Sequence, residues 1–455
     1  MKEDLIRKYN IPVPRYTSYP PANYFSSEFT NKEYVESIVN SNFSQPGHIS
    51  FYLHIPFCRH LCHYCGCNSF HMMKQEVVDR YIAALHKEID MVSQLLSPER
   101  KISQIHYGGG SPTAMPASII KELNDHMLSA FPTIDKAEIA IECHPGYLTA
   151  ENWTDLSNAG FSRFSIGVQD FNEKVLKTVN RRPSLLPLEE VFAILRERDA
   201  KINMDFIYGL PYQSAESFAE TIKRAAGLRP DRLVTFSYAH VPWVNKQQLI
   251  LEKAGLPASE EKSQMYMRAV EILHNNGYKS VGMDHFVLPE DELYTALSTH
   301  QLHRNFQGYC TRRTTGQVYA FGVTGISQLS NAYAQNSKDI TEYMTKIEQG
   351  QFSICKGYAL NREQQITREV IESIMCNYKI DWSELSERLN LSIEEIKAAT
   401  AYDEAKIQEF VDDGIITATE TELKMTEEGA LFVRNVAASL DRLMINSSKT
   451  FSKPI

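Results

Sequence analysis

No apolar run in this 455-residue chain approaches the roughly 20 residues that a membrane-spanning helix needs. Residues 1–20 are polar, interrupted by prolines, and lack the apolar core of a secretory signal. Both absences predict a cytoplasmic protein with no membrane span. Basic charge is also short, because 47 Lys+Arg face 56 Asp+Glu and leave a formal net charge of −9. Bulk nucleic-acid binding needs a basic surface that displaces counterions, so no nucleic-acid partner is expected. A local basic pocket for an acidic small molecule remains compatible with that balance. Low-complexity segments are missing too. The 43% hydrophobic and 23% charged composition is ordinary for a globular chain, and the length suggests two or three domains.

The eight cysteines are unevenly spread. Cys58, Cys62, Cys65 and Cys67 crowd together, whereas Cys143, Cys310, Cys355 and Cys376 are scattered. A secreted disulfide framework distributes its cysteines through a short chain. Clustering in a long chain points instead to metal binding.

After residue 49 an apolar, β-rich run is followed repeatedly by a helical pattern. The predicted strands are 49–56, 102–107, 137–143, 163–168, 202–208 and 232–238, with a further strand-like run at 279–283. Val77, Tyr81, Leu85, Ile89 and Val92 recur at helical spacing after the first strand. Ile119, Leu123, Met127 and Phe131 do the same after the second. Further helices are expected at 218–226 and 260–275. Strands alternating with helices imply right-handed βαβ units and a parallel sheet, either open or closed into most of a barrel. Residues 1–48 form an N-terminal arm in which Pro12, Pro14, Pro20 and Pro21 resist regular structure. Residues 49–345 carry the repeats. Residues 346–455 are mainly helical (362–378, 382–389, 393–398, 404–412), then two short strands at 415–417 and 423–425 and a last helix from Glu427. That ending resembles a winged helix.

The cysteine spacing is C-x3-C-x2-C. Three thiolates on a 4Fe–4S cube leave one iron without a protein ligand and free to bind a substrate, whereas an electron-transfer cluster normally has four cysteines. Zinc is the rival: all four clustered cysteines, or His54, His60 or His63 with them, would serve a tetrahedral site. A structural zinc site usually pairs two C-x2-C knuckles, and no second knuckle occurs. The loop also follows the first strand of a βα repeat, where such folds place their active sites. Other polar or glycine features end or nearly end the later strands: Gly108-Gly109-Gly110-Ser111, Glu142, Gln169, Asp205 and Ala239. Each alone reads as a turn or cap; together they fall on one rim. The glycine run lets backbone approach a ligand closely, but lacks the lysine of a phosphate loop.

These residues resemble the radical S-adenosylmethionine superfamily, and within it the family of oxygen-independent coproporphyrinogen III oxidases. The resemblance spans nearly the whole chain. It is carried by Arg15-Tyr-Thr-Ser-Tyr-Pro20, Tyr52-Leu-His-Ile-Pro-Phe-Cys58, Cys65-Gly-Cys67-Asn68, Gly167-Val-Gln-Asp170 and Asp205-Phe-Ile-Tyr-Gly-Leu-Pro211. Tyr238-Ala-His240, Gly282-Met-Asp-His-Phe286 and, most discriminating, His303-Arg-Asn-Phe-Gln-Gly-Tyr309 complete it. It implies an α/β fold, a partial (β/α)6 parallel barrel with an N-terminal arm and a helical C-terminal lid. It implies one 4Fe–4S cluster on Cys58, Cys62 and Cys65, and two S-adenosylmethionine molecules. Tyr52, Gly109, Glu142 and Ile326 would contact the cluster-bound one. Tyr64, Gly110, Ser111, Gln169, Arg181, Asp205 and Ala239 would contact the second. Without the family, Tyr52 and Ile326 read as core packing, and Arg181 and Asp205 as surface or structural charges.

Cys67 and His54 belong to the family's functional set and are catalytic candidates. Their plainer readings are a small buried residue and a hydrogen-bonded core histidine. The implied reaction takes a hydrogen from the β-carbon of a substrate propionate with a 5′-deoxyadenosyl radical, and carbon dioxide and an electron follow. Two propionates of coproporphyrinogen III become vinyl groups, giving protoporphyrinogen IX. Arginine forks suit carboxylates, so Arg304, with Arg312 and Arg313 nearby, and Gln307 are substrate candidates. A monomer is expected, with the electron donor unassigned. Two departures stand out: His144 follows Cys143 where the family often has aspartate before the proline, and residues 310–319 differ locally. Rival readings are a haem chaperone, a haem-modifying radical enzyme and a winged-helix iron–sulfur regulator. The Gly66-Cys67 continuation and the 303–309 segment argue against the chaperone. Glu394, Glu395, Asp403, Glu404, Asp412 and Asp413 make an acidic surface where a regulator needs a basic one.

Overall fold

The computed structural model describes residues 3–243, 245–311 and 316–454, so Arg312 and Arg313 lie outside the described residues. One 12-stranded sheet organises the chain. Its first six strands are β1 (Ile49–Ile55), β2 (Ile102–Gly109), β3 (Thr133–Cys143), β4 (Arg163–Gln169), β5 (Lys201–Tyr208) and β6 (Arg232–Ser237). They lie side by side in chain order and all parallel. β1 reads Ile-Ser-Phe-Tyr-Leu-His-Ile and is buried along almost its whole length. This is what a strand covered on both faces requires. The helix Gln75–Ser93 returns the chain from β1 to β2 and buries Val78, Tyr81, Leu85, Ile89 and Val92 against the sheet. The helix Ala117–Ala130 buries Ile120, Leu123 and Met127 in the same way.

The sheet extends beyond these six strands at both edges. β7 (Lys279–Val281) and β8 (His285–Val287) run antiparallel outside β6. On the other edge β9 (Val318–Phe321) adds a seventh parallel strand beside β1. β10 (Ile326–Gln328), β11 (Ala332–Asn336) and β12 (Ile354–Ala359) then continue antiparallel. The sheet thus runs past residue 345, where helical periodicity begins to dominate. β9 to β12 are three to six residues long, and β9, β10 and β11 are mostly buried, so they carry little alternation for a periodicity reading to detect.

The arm is not wholly irregular, for it contains the helices Glu3–Tyr9 and Asn31–Ser41 on either side of the proline-bearing stretch. Its Leu5, Tyr9, Tyr16, Tyr19 and Phe25 share one apolar core with Ile366, Val370, Trp382, Phe410 and Val436 of the C-terminal region. The arm is therefore pinned to that region, with Tyr16 donating to Asp441 over 2.9 Å and Arg434 donating to the Pro14 carbonyl over 3.0 Å. The last helix starts later than Glu427. A turn through Gly429 and a short 3-10 segment come first, and the α-helix spans Val433–Ser439. A Cβ on Gly429 would run into the Ile415 carbonyl oxygen, so the backbone is pressed against the segment leading into the preceding strand there. No helix among the described residues is long and apolar enough to cross a membrane.

The amino ends of the strands are closed by buried charges. Arg163 donates to Glu138 over 2.6 Å and to Asn203 over 2.9 Å. Arg232 donates to Asp291 over 2.8 Å and to Glu292 over 3.3 Å. Burial opposes the charge on Glu138, but the guanidiniums of Arg163 and Arg232 hold its carboxyl down at about 2. Arg232→Ala removes the guanidinium hydrogen-bonded to the buried Asp291 carboxylate and is expected to cost about 3–5 kcal/mol, measured by denaturant unfolding. A loss below about 1 kcal/mol, as surface pairs give, would show that the network is dispensable.

Candidate active site

The carboxyl ends of the strands converge on the cysteine loop. β1 ends at Ile55 and the loop departs at Pro56. Backbone contacts hold it on several sides: Gly110 N–H donates to Ile55 O over 2.8 Å, Ser111 N–H to Phe57 O over 3.0 Å and Phe70 N–H to Pro56 O over 2.7 Å. His63 N–H donates to Val179 O over 3.0 Å. The side chains of Asn180, Asn245 and Gln248 donate to the carbonyls of Leu61, Cys65 and Tyr64 over 2.8, 2.8 and 3.1 Å. The loop is thus shaped through its main chain, and its thiols remain free of disulfides.

Burial, with the neighbouring Cys65 and Cys62 thiols, pushes Cys58 up to about 12. The hydrogen bond from Cys67 brings Cys65 down to about 7, and the same contact raises Cys67. Beside these sulfurs lies Arg181, with Nη1 3.6 Å from Cys62 Sγ and 3.1 Å from the Tyr64 hydroxyl. Its other amino group donates to the Gly167 carbonyl. Its buried Nε has no hydrogen-bond partner among the described residues. A half-buried cation beside the Cys62 sulfur, in a loop of soft sulfur donors, fits an anionic iron–sulfur cluster.

Each glycine of the run after β2 makes room for a different side chain. A Cβ on Gly108 would lie 2.7 Å from Glu142 Oε1 and 3.0 Å from the Tyr52 ring. At Gly109, where φ is +110°, it would meet the His54 ring at 2.6 Å. At Gly110 it would meet Pro56 backbone at 2.7 Å and Cys58 Sγ at 3.0 Å. The run is therefore more than a tight turn. His54 Nε2 lies 3.0 Å from the Asn68 carbonyl, and Nδ1 lies 3.1 Å from the Tyr52 hydroxyl. Burial lowers the His54 pKa and keeps the ring neutral. A carbonyl only accepts, so Nε2 carries the proton and Nδ1 accepts from Tyr52.

Glu142 and Asp205 stand on the rim. His106 Nε2 lies 3.1 Å from Glu142 Oε1, and the His106 ring stacks on Tyr52. Asp205 accepts from Ser165 over 2.8 Å, and burial, with Glu142 adding to it, raises its pKa to about 6. Gln169 is buried at the end of β4 with φ +71°. Ser111 is buried, and Ala239 is exposed just past β6. Ile326 begins β10, half-buried against the core shared by the arm and C-terminal region. The preceding turn touches the loop's base, since a Cβ on Gly322 would lie 2.8 Å from the His54 carbonyl oxygen. His144 is buried, turned onto its own backbone by accepting from Gly146 N–H over 3.1 Å.

The substrate candidates sit on a hairpin, Leu302–Asn305 paired with Gly308–Thr311. Gln307 is in its turn, where Asn305 Nδ2 donates to Gln307 Oε1 over 2.9 Å. Arg304 is buried, donates to the Arg15 carbonyl over 2.7 Å and lies over the Tyr309 ring. Arg15 of the arm donates to Asp284 over 3.1 Å, and Asp284 also pairs with His285 at 2.8 Å. Burial alone would raise Asp284; His285, Arg304 and Arg15 bring it to about 2. The hairpin rests on His285, with the Tyr309 ring edge-on at 5.2 Å. Motif matching covers Arg15, Asp284 and His285 but assigns them no role, and His106 has no signal beyond its place in β2.

Over 456 aligned residues the chain is 36% identical to the oxygen-independent coproporphyrinogen III oxidase of Synechocystis sp., covering 99% of this chain and 97% of that one. The chain belongs to that family. It is 37% identical over 441 residues to the oxygen-independent coproporphyrinogen III oxidase of Escherichia coli, covering 96% and 94%. The solved structure of Escherichia coli coproporphyrinogen III oxidase, described as a radical SAM enzyme, superposes with a TM-score of 0.85 at 35% identity, covering 97% of this chain and 99% of that one. A family model described as the Radical SAM superfamily matches residues 52–225, and one described as the HemN C-terminal domain matches residues 360–432. Membership of a radical SAM family brings a 4Fe–4S cluster and S-adenosylmethionine as cofactors.

The raised Asp205 pKa favours the folded state while the carboxyl is protonated. That contribution is complete below the unfolded value of 3.8 and is lost as pH rises through about 6. Asp205→Asn is therefore expected to stabilise the chain by about 1–3 kcal/mol at pH 8 and progressively less as pH falls below 6. Urea unfolding at both ends of that range checks it. An equal effect at both ends would mean that Asp205 is not held protonated by the fold.

Proposed function

We propose that this chain converts two propionate side chains of coproporphyrinogen III to vinyl groups without oxygen, giving protoporphyrinogen IX. The observation that carries this reading is the near-full-length likeness to a solved coproporphyrinogen III oxidase, joined to thiols, glycines and carboxylates on one barrel rim. When bound, the cluster supplies the electron that splits S-adenosylmethionine and so provides a carbon radical able to take hydrogen. Each conversion removes one hydrogen atom, one carbon dioxide and one electron from a propionate.

The chain's own residues do the holding and the shielding. Cys58, Cys62 and Cys65 hold three irons, and Arg181 balances their charge. Tyr52, Gly109, Glu142 and Ile326 bind the S-adenosylmethionine on the cluster. Tyr64, Gly110, Ser111, Gln169, Asp205 and Ala239, with Arg181, bind a second molecule. The neutral His54 orients Tyr52, and Cys67 stands at the edge of the cluster loop. Gln307 meets a substrate carboxylate, with Arg304 behind it. The Arg304 guanidinium is already engaged with Arg15, so it acts mainly by holding the arm, and Gln307 makes the direct contact. The arm (1–48) and the helical region (346–455) cover the catalytic region (49–345) and keep water away from the reacting carbon. The chain is read as a monomer. The absence of a membrane-crossing helix among the described residues is compatible with the cytoplasm.

The test is anaerobic purification, reconstitution with iron and sulfide, and incubation with S-adenosylmethionine, coproporphyrinogen III and dithionite. Protoporphyrinogen IX and 5′-deoxyadenosine should both appear, and Cys62→Ala should abolish both together with the cluster's visible absorbance. S-adenosylmethionine cleavage without decarboxylation would sink the substrate assignment. Gln307→Ala should raise the KM for the porphyrinogen about tenfold, the loss of one charge-assisted hydrogen bond, with cluster absorbance unchanged. Unaltered kinetics would remove Gln307 from the site.

A further inference from the structure

Past the carboxyl ends of β5 and β6 the rim holds a lysine that no motif in the sequence marks. Lys262 lies in the first turn of the helix Ser259–Asn275. A cation there opposes the helix macrodipole, so its place asks for another cause. Its stem crosses Gly209, the residue after β5, where φ is +88° and a Cβ would lie 2.8 Å from Lys262 Cε and 3.0 Å from Cδ. Its ammonium donates to the Tyr238 carbonyl, just past β6, over 3.2 Å. Lys262 thus spans the ends of the two strands that carry Asp205 and lead into Ala239.

The residue is half-buried, and the Tyr238 carbonyl takes only one of the three donor positions of the ammonium. Glu261, its neighbour in sequence, accepts instead from Ala215 N–H over 2.6 Å. Burial lowers the Lys262 pKa, and no carboxylate among the described residues offsets it. A cation drawn out of water without a counter-charge is unfavourable. The arginines near the substrate hairpin are already engaged, Arg15 with Asp284 and Arg304 with the Arg15 carbonyl. Hydrogen bonds join the Lys262 helix to that hairpin. One turn after Lys262, Tyr266 donates to Met283 O over 3.0 Å, and Met283 N–H donates to the Tyr309 hydroxyl over 3.1 Å. Tyr309 pairs with Arg304 in the hairpin whose turn holds Gln307, so Lys262 and Gln307 are fixed in one frame.

We propose that the Lys262 ammonium binds a propionate carboxylate of the porphyrinogen other than the one met by Gln307. The proposal deepens the substrate reading above and rests on it. An ammonium is a compact point charge with rotatable donors, so it accepts a carboxylate on a flexible side chain without demanding one orientation. The incoming carboxylate supplies the missing counter-charge, and the Tyr238 carbonyl keeps the ammonium at the strand ends until it arrives.

The test compares the parent with Lys262→Met as reconstituted holoenzymes, because methionine keeps an apolar stem over Gly209 and removes the charge. Coproporphyrin III, the oxidised and fluorescent form of the substrate, is titrated with S-adenosylmethionine present. The expected Kd rises about tenfold or more in the variant, the loss of one charge-assisted hydrogen bond. Binding of S-adenosylmethionine, read by equilibrium dialysis, should be unchanged. A second measurement needs no variant: in acetic anhydride labelling of the parent, read by peptide mass spectrometry, coproporphyrin III should protect Lys262 and S-adenosylmethionine alone should not. Equal Kd values, or labelling that coproporphyrin III leaves unaltered, would each overturn the proposal. Weakened S-adenosylmethionine binding in the variant, or protection by S-adenosylmethionine alone, would overturn it in favour of the carboxylate of that cofactor. Failure of the parent to convert coproporphyrinogen III with dithionite would overturn the decarboxylation reading instead, and the titration and labelling would still decide the role of Lys262.

Discussion

A half-buried guanidinium governs the active end of this barrel. Arg181 has left water without a carboxylate among the described residues to meet it, which is costly unless other anions take that role. It faces Cys62, Tyr64 and the Gly167 carbonyl, so the cost favours sulfur that is deprotonated and metal-bound. Gly167 is glycine for the same reason, since a Cβ there would lie 2.7 Å from an Arg181 amino nitrogen. Positive charge, empty volume and thiol supply are thus set by residues from three separate segments, which meet only when β1 and β4 occupy the same sheet.

The glycine run applies the same logic to shape. Gly108, Gly109 and Gly110 each yield space to one partner, respectively Glu142, His54 and Cys58. The edge of β2 therefore works as a template for the side chains of its neighbours. The buried ion network at the opposite end needs no such gaps, because Arg163 and Arg232 fill it with their own bulk. One end of the barrel is plugged by charge, and the other is hollowed by glycine.

Much of this was legible in the sequence, and unevenly. The helices Trp382–Leu389 and Glu404–Asp412 match the periodicity residue for residue, because amphipathic spacing and an aspartate cap mark each one. The six parallel strands were visible as apolar runs because strands covered on both faces stay apolar along their length. β9 to β12 escaped, being short, with Ala and Gln interrupting their apolar residues. The delayed start of the last helix depends on Gly429 pressing against Ile415, a contact between distant turns that no local pattern announces. At the site, the cysteine spacing and the strand-end positions pointed to chemistry directly. Ile326 offered no signal of its own and came only with the family resemblance, and Ala239 was marked only by its place at a strand end. His106 could have been suspected as an alternating polar residue in a buried strand. The joining of Arg15 to Asp284 needs the arm to fold back over the sheet, which is a tertiary event.

That folding back also sets an order in time. Arg434 holds the Pro14 carbonyl across 420 positions of sequence, and Tyr16 reaches Asp441. On a ribosome the stretch around Pro14 and Tyr16 lacks these two partners until residues beyond 430 have been made. The barrel strands and the cysteine loop are complete long before then. For that interval the nascent protein has its cysteine loop in place while the first part of the arm is not yet fastened to the C-terminal region, so the last contacts of the fold join its two ends.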